Sequence, residues 1–255
     1  PWDAGSSTEP GRPAGGSGRL MAKERDIRDH WFREAKRTGH RSRAAFKLIE
    51  LDDRWGLLRP GQRVLDCGCA PGSWLQVLAP RILPGGRAVG IDLKTIRPLD
   101  MGSGGFDHVA VMHGDLFATP AEELLAAAGP DPRPFDLVLS DMAPSTTGDR
   151  TIDHHGSVRL CHAVLDRCRD VLRDGGDCVM KVFEGEAYPD LLERCRRAFD
   201  AVKGFKPKAS RAISTEMYIV ARGYRGAKAD PATTTAEGLA PPRPKPAAGW
   251  GSGGR

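Results

Sequence analysis

The sequence predicts one open, largely parallel α/β sheet with helices on both faces. Three observations carry this expectation. Strand-like and helix-like segments alternate through the middle of the chain. The first strand candidate runs into a glycine-rich turn and then a helix, as connections in such sheets do. The chain has 255 residues of which 40% are hydrophobic, enough for one well-buried domain, and no second core-forming segment is left over.

The two ends differ from the middle in composition. Residues 1–20, PWDAGSSTEPGRPAGGSGRL, are rich in Gly, Pro and Ser and bury too little to offset the entropy of ordering, so they are expected to be disordered. Met21 opens a sharply different segment and is a candidate start of the natural chain. From Gly226 to Arg255 the tail has no periodic apolar face and is also expected to be disordered. Residues 21–225 are left as the domain, beginning with a basic helical segment over 21–58.

Within the domain, RSRAAFKLIELDDRWGLL places Ala45, Leu48, Ile49 and Leu51 near one face of an amphipathic helix packed on the sheet. The strand candidates are RVLDCG from Arg63, RAVGIDL from Arg87, HVAVMHGD from His108, FDLVLSDMA from Phe135, DCVMKVF from Asp177 and EMYIVARGY from Glu216. Helices are expected over Ser73 to Ile82, Ala121 to Ala128, about Asp153 to Leu172, and Tyr188 to Val202.

Bulk composition narrows the function. The net charge of +5 favours a polyanionic partner without proving one. No apolar run approaches the roughly 20 residues needed to cross a bilayer, and no secretory leader is visible, so a soluble protein of the cytoplasm is expected. The six cysteines show no CxxC pairing and sit in apolar or helical stretches, as small core residues do. His154 and His155 have no metal-ligand spacing beside them and read as a helix start, so no metal is expected.

The first strand ends in LDCGCAPGSWLQVL, which sets Asp66, Gly68, Ala70, Pro71 and Gly72 at a strand-to-helix turn on the carboxyl edge of the sheet, where open α/β folds bind ligands. Glycines there let backbone N–H groups approach a ligand closely. The proline in place of a third spaced glycine argues against a pyrophosphate loop. Asp92 ends the second strand and Asp115 the third; the first suits ribose hydroxyls and the second an adenine amino group. Each alone reads equally well as a turn former, but together at one sheet edge they describe an adenosine-shaped ligand. Trp74, in the first turn of a helix, reads on its own as core.

Four polar residues need a use: Lys47 in the amphipathic helix, Asp141 after the fourth strand, Lys181 within VMKVFEG and Glu216 opening the last strand. Lys181 is the most informative, because Val179, Met180, Val182 and Phe183 place it in a buried strand. Burying an ammonium costs several kcal/mol unless it is paired.

These segments resemble the FtsJ-like ribosomal RNA 2′-O-methyltransferases, the large-subunit methyltransferase E or heat-shock group. The resemblance runs from about Asp29 to Tyr224, on RSRAAFKLIELD, VLDCGCAPGSW, GIDL, GDLF, VLSDMAPSTTGDRTIDH, VMKVFEG and STEMYIVAR. It implies a Rossmann-like S-adenosylmethionine-dependent methyltransferase fold with an antiparallel last strand. It also implies a catalytic tetrad of Lys47, Asp141, Lys181 and Glu216, with Lys181 as proton acceptor. Cofactor contacts fall on Gly72, Trp74, Asp92, Asp115 and Asp141. Cys69 and Ser73 depart from the commonest wording of the family, and both are small enough to change packing rather than binding.

Methyl transfer from a sulfonium needs an in-line attack by the hydroxyl oxygen, which leaves the protein to position and deprotonate a ribose hydroxyl. A neutral lysine can take that proton, and a neighbouring ammonium such as Lys47 would favour its neutral form. The loop DMAPSTTG is unlike the DPPY or NPPY type expected where a base amine is methylated, so ribose is the expected target. Basic residues concentrate at Lys23, Arg25, Arg28, Arg33, Lys36, Arg37, Arg41 and Arg43, interleaved with His30, Trp31, Phe32 and His40, as phosphate contacts and stacking faces require. The implied substrate is a uridine ribose of 23S ribosomal RNA in the large subunit during ribosome assembly, with the enzyme acting as a monomer. Methylation of tRNA or a cap, and a non-catalytic RNA-binding assembly factor, are the alternatives.

Overall fold

The structure, a computed structural model, describes residues 31–99, 105–210 and 215–226. The expectations for residues 1–20, Met21, Lys23, Arg25, Arg28, His30 and the tail beyond Gly226 lie outside the described residues. Residues 31–37 are helical. The elements that follow are α1 (Ala44–Trp55), β1 (Arg63–Cys67), α2 (Ser73–Arg81), β2 (Arg87–Asp92), β3 (Val109–His113), α3 (Ala121–Ala127), β4 (Phe135–Ser140), α4 (Arg150–Val171), β5 (Leu172–Phe183), α5 (Tyr188–Ala198), β6 (Phe199–Phe205) and β7 (Glu216–Tyr224).

Seven strands form one sheet in the order β3-β2-β1-β4-β5-β7-β6. The pairs from β3 through β5 are parallel, whereas β7 runs antiparallel to both β5 and β6. This is the predicted mostly parallel α/β sheet with an antiparallel last strand.

Side chains alternate across a strand, so each strand feeds two apolar layers. Leu65, Val138, Cys178 and Met180 face the layer containing Val164 and Leu165 of α4. Val64, Leu137, Leu139 and Val179 face the opposite layer, covered by Leu48 and Leu51 of α1 and Leu75 and Leu78 of α2. All six cysteines are buried and free. Among the described residues no helix is long and apolar enough to cross a membrane.

Three boundaries differ from the sequence reading. Helix α4 starts at Arg150 because the Asp149 carboxylate accepts the Thr151 and Ile152 N–H groups and caps it. Strand β5 begins at Leu172, where it pairs with Phe135 ahead of a register shift. The expected helix from Tyr188 to Val202 stops at Ala198, and residues 199–205 form β6. That strand lies at the sheet edge with β7 as its partner, so most of its side chains are exposed and its sequence lacks the alternation of a half-buried strand. Pairing with β7 and docking of Phe199 on Tyr224, with ring centroids 5.2 Å apart, outweigh the local helical pattern.

Candidate active site

The alternation that builds the core also gathers the site. Leu137 and Leu139 of β4, Val179 of β5 and Val220 of β7 lie in the layer beneath α1. Continuing each strand by two-residue steps brings Asp141, Lys181, Tyr218 and Glu216 to the same face. Register completes the arrangement, because Lys181 stands opposite Tyr218 and Phe183 opposite Glu216. Lys47 is buried in α1, which packs over this face.

The four residues form two ion pairs. Lys181 Nζ lies 2.9 Å from Asp141 Oδ1 and also donates to the Asp141 backbone carbonyl. Lys47 Nζ lies 2.6 Å from Glu216 Oε1, which also accepts the Ser210 hydroxyl at 2.9 Å. Side-chain exposure is 10% for Lys181 and 8% for Lys47, so neither ammonium would tolerate loss of its partner.

Tyr218 links the pairs. Its hydroxyl donates to Asp141 Oδ1 at 2.6 Å, and Lys47 Nζ sits 5.9 Å from its ring centre. Burial, and then the Asp141 and Glu216 carboxylates, push the phenol well above its ordinary pKa, so it remains a donor. Burial alone would raise the Asp141 carboxyl, but the Lys181 and Lys47 charges and the hydrogen bonds from Tyr218 and Lys181 outweigh it. Asp141 is held below the usual carboxylate value.

Beside this cluster lies a cleft of about 490 Å³, walled in part by Gly68, Ala70, Asp92, Asp115, Phe117 and Asp141. It opens at the carboxyl ends of the central strands, where β1 has β2 on one side and β4 on the other and the strand order reverses. Gly68 has φ 76°, and a Cβ there would come 2.5 Å from Met142 Cγ, so this turn admits no side chain. Asp92 ties the turn to β2, its two oxygens accepting the Ala70 N–H at 2.9 Å and the Lys94 N–H at 2.8 Å. Asp115 accepts the Phe117 N–H at 2.9 Å. A carboxylate offers about four acceptor positions, so both keep capacity toward the cleft.

Gly72 and Trp74 are not among the cleft-lining residues. Gly72 is buried against Arg41, Ile96 and Leu99, where a Cβ would come within 3.0–3.2 Å of each. Trp74 is 3% exposed, donates its indole N–H to the Ala44 carbonyl at 2.8 Å and packs on Tyr218 with ring centroids 5.9 Å apart. Its side chain therefore meets the site through Tyr218.

Asp66, in β1 below the turn, lies outside the cleft lining. It is 1% exposed, and neither carboxylate oxygen has a hydrogen-bond partner among the described residues. Burial and the adjacent Asp141 and Asp92 raise its carboxyl well above the ordinary value. The Asp92, Asp115 and Asp141 carboxylates that line the cleft suit a cationic ligand. S-adenosylmethionine brings a sulfonium, an ammonium and an adenosine, so the residues present fit it.

A family model described as FtsJ-like methyltransferase matches residues 40–224, the span that contains all four tetrad positions and the whole cleft. The chain belongs to the FtsJ-like methyltransferase family. It is an RNA 2′-O-methyltransferase, and S-adenosylmethionine is its cofactor. Relatives include proteins named ribosomal RNA large subunit methyltransferase E. The one from Syntrophobacter fumaroxidans is 41% identical over 204 residues, covering 78% of this chain and 97% of its own length. That from Alkalilimnicola ehrlichii is 43% identical over 197 residues, covering 77% and 90%. A crystal structure of a ribosomal RNA methyltransferase from Plasmodium falciparum superposes with a TM-score of 0.64 at 29% identity, covering 73% of this chain and all of that one.

Two residues that contact the candidate tetrad escaped the sequence reading. Tyr218 stands two residues after Glu216, and the two-residue period of a strand was the signal that placed both on one face. Ser210 gave no signal, because a loop brings it to Glu216 from outside any strand. Of the two departures from the family wording, Ser73 shares a hydrogen bond of 2.7 Å with the Ser42 hydroxyl, and Cys69 is buried in the layer beneath α1.

Proposed function

We propose that this FtsJ-like enzyme methylates the 2′-hydroxyl of a uridine in large-subunit ribosomal RNA, in the loop that receives aminoacyl-tRNA, within an assembled subunit. The observation that carries the mechanism is the amine of Lys181, which meets two acceptors of Asp141, a residue that also walls the cofactor cleft. A neutral amine has two N–H bonds. Given to those acceptors, they leave the nitrogen lone pair free to take the ribose hydroxyl proton. S-adenosylmethionine supplies the electrophilic methyl group. Lys47 and Glu216 flank the pair and balance its charge, and Tyr218 fixes the Asp141 carboxylate. Asp92 and Asp115 face the adenosine part of the cofactor, and the Gly72 backbone supports the turn that it approaches.

RNA contact is supported by the segment before α1. Phe32 is 55% exposed with Lys36 Nζ 4.8 Å from its ring centre, and Arg33 is exposed beside it. These offer a stacking face and phosphate contacts. Two basic residues of the predicted patch have other work: Arg37 pairs with Glu34, and Arg41 donates to the Pro71, Arg97 and Pro98 carbonyls. The names of the relatives support large-subunit RNA as the substrate, and assembling ribosomes place the enzyme in the cytoplasm. A purely binding protein would not require two buried lysine pairs.

The test offers labelled S-adenosylmethionine with large ribosomal subunits or with tRNA, both from cells lacking the enzyme, and maps the alkali-resistant nucleotide. Label on a single uridine of the large subunit is expected. Efficient labelling of tRNA with untouched ribosomal particles would replace this substrate.

A further inference from the structure

Helix α4 faces the end of the strand that carries Lys181. Strand β4 stops at Ser140, opposite Met180, so among the described residues β5 beyond that point has β7 on one side and no strand on the other. Side chains 154, 157 and 161 of α4, spaced three and four residues apart and so on one helix face, occupy the open side.

Each meets a main-chain group. Cys161 donates its thiol to the Lys181 carbonyl at 3.2 Å. Ser157 Oγ accepts the Phe183 N–H at 3.0 Å and gives its own proton to the His154 carbonyl at 2.7 Å. His154 Nδ1 lies 2.6 Å from the Phe183 carbonyl, and its Nε2 lies 3.0 Å from the Ala187 nitrogen. A carbonyl only accepts and an amide N–H only donates, so the ring carries its proton on Nδ1 and leaves Nε2 bare.

The fit leaves no slack. His154 is 3% exposed, and a Cβ on Gly185 would come 2.5 Å from its ring. The same helix also lies against the loop that follows Asp141, since a Cβ on Gly156 would come 2.9 Å from Pro144.

We infer that His154 and Ser157 are positioning residues for methyl transfer. They replace a missing neighbour strand and fix residues 181–187, so that the Lys181 amine meets both acceptors of Asp141. Apolar side chains would fill the same space but leave the Phe183 and Ala187 main-chain groups without partners. This inference rests on the reading of Lys181 as proton acceptor.

The test compares His154→Phe, which keeps a ring and loses both hydrogen bonds, with His154→Asn, which keeps a donor near the Nδ1 position, and with Ser157→Ala. Turnover is measured at saturating RNA and cofactor, at a temperature where circular dichroism shows each variant folded. His154→Phe should lower turnover about tenfold, as a small misplacement of a reacting group does. Its affinity for S-adenosylmethionine and its KM for RNA should stay within about twofold of wild type. His154→Asn should recover part of the rate. If His154→Phe does not fold, Ser157→Ala decides, with several-fold slower turnover and unchanged cofactor binding expected. Wild-type turnover in folded His154→Phe, or in Ser157→Ala when that variant decides, would overturn the inference. Lys181→Arg is assayed alongside: normal turnover there removes the underlying reading of Lys181, whatever the α4 variants show.

Discussion

At the scale of single residues, the site is organised by carboxylates in opposite electrostatic situations. Asp141 is buried among cations and donors, which keep it ionised. Asp66 is buried with no hydrogen-bond partner among the described residues and beside other acids, which favours its protonated form. A carboxyl raised in the folded state imposes no penalty below the unfolded value, where both states are protonated. Stability then falls as pH rises above that value, up to the folded one. Asp66→Asn should therefore stabilise the cofactor-free protein by an amount that grows as pH rises above about 4. The same change should leave S-adenosylmethionine affinity nearly unaltered, because a protonated carboxyl offers the cation no counter-charge and Asp66 lies outside the cleft lining. Thermal unfolding across pH and calorimetric titration check both halves; a stability difference that does not vary with pH would contradict the raised carboxyl. Lys181 was legible in the sequence because an ammonium among apolar neighbours demands a partner. Tyr218 was not, since a tyrosine in a buried strand reads as core until its hydroxyl is seen to meet Asp141.

At the scale of elements, helix α4 meets the strand that carries Lys181 and the loop that follows Asp141. Its Gly156 faces Pro144, which gives a test that separates stability from activity. Alanine favours a helix interior over glycine by about 1 kcal/mol, yet the added methyl would push the Asp141 loop outward. Gly156→Ala should therefore unfold at a similar or higher temperature while turnover falls several-fold. Unchanged turnover would show that this loop need not sit against α4. The strands of the sheet centre were readable because burial on both faces leaves long apolar runs, as in FDLVLS and DCVMKVF. Strand β6 was not readable, because an edge strand with exposed Asp200 and Lys203 has the polar pattern of a helix surface until β7 pairs with it.

At the scale of the whole molecule, the sheet order sets the cofactor cleft at the end of β1 and β4, and the antiparallel β7 closes the catalytic face beside it. In the proposed reading, the face beneath α1 joins a cofactor site to a proton acceptor, next to a basic, aromatic-bearing segment. The central claim is that Lys181 takes the ribose proton. Single-turnover methyl transfer by Lys181→Arg, with S-adenosylmethionine binding measured separately, tests it most directly. Arginine keeps the charge and much of the reach but stays protonated in proteins, so it cannot accept a proton. The account predicts bound cofactor and no turnover, against ready methyl transfer by the wild type. Near-normal turnover by Lys181→Arg would contradict it and leave Lys181 with an electrostatic role.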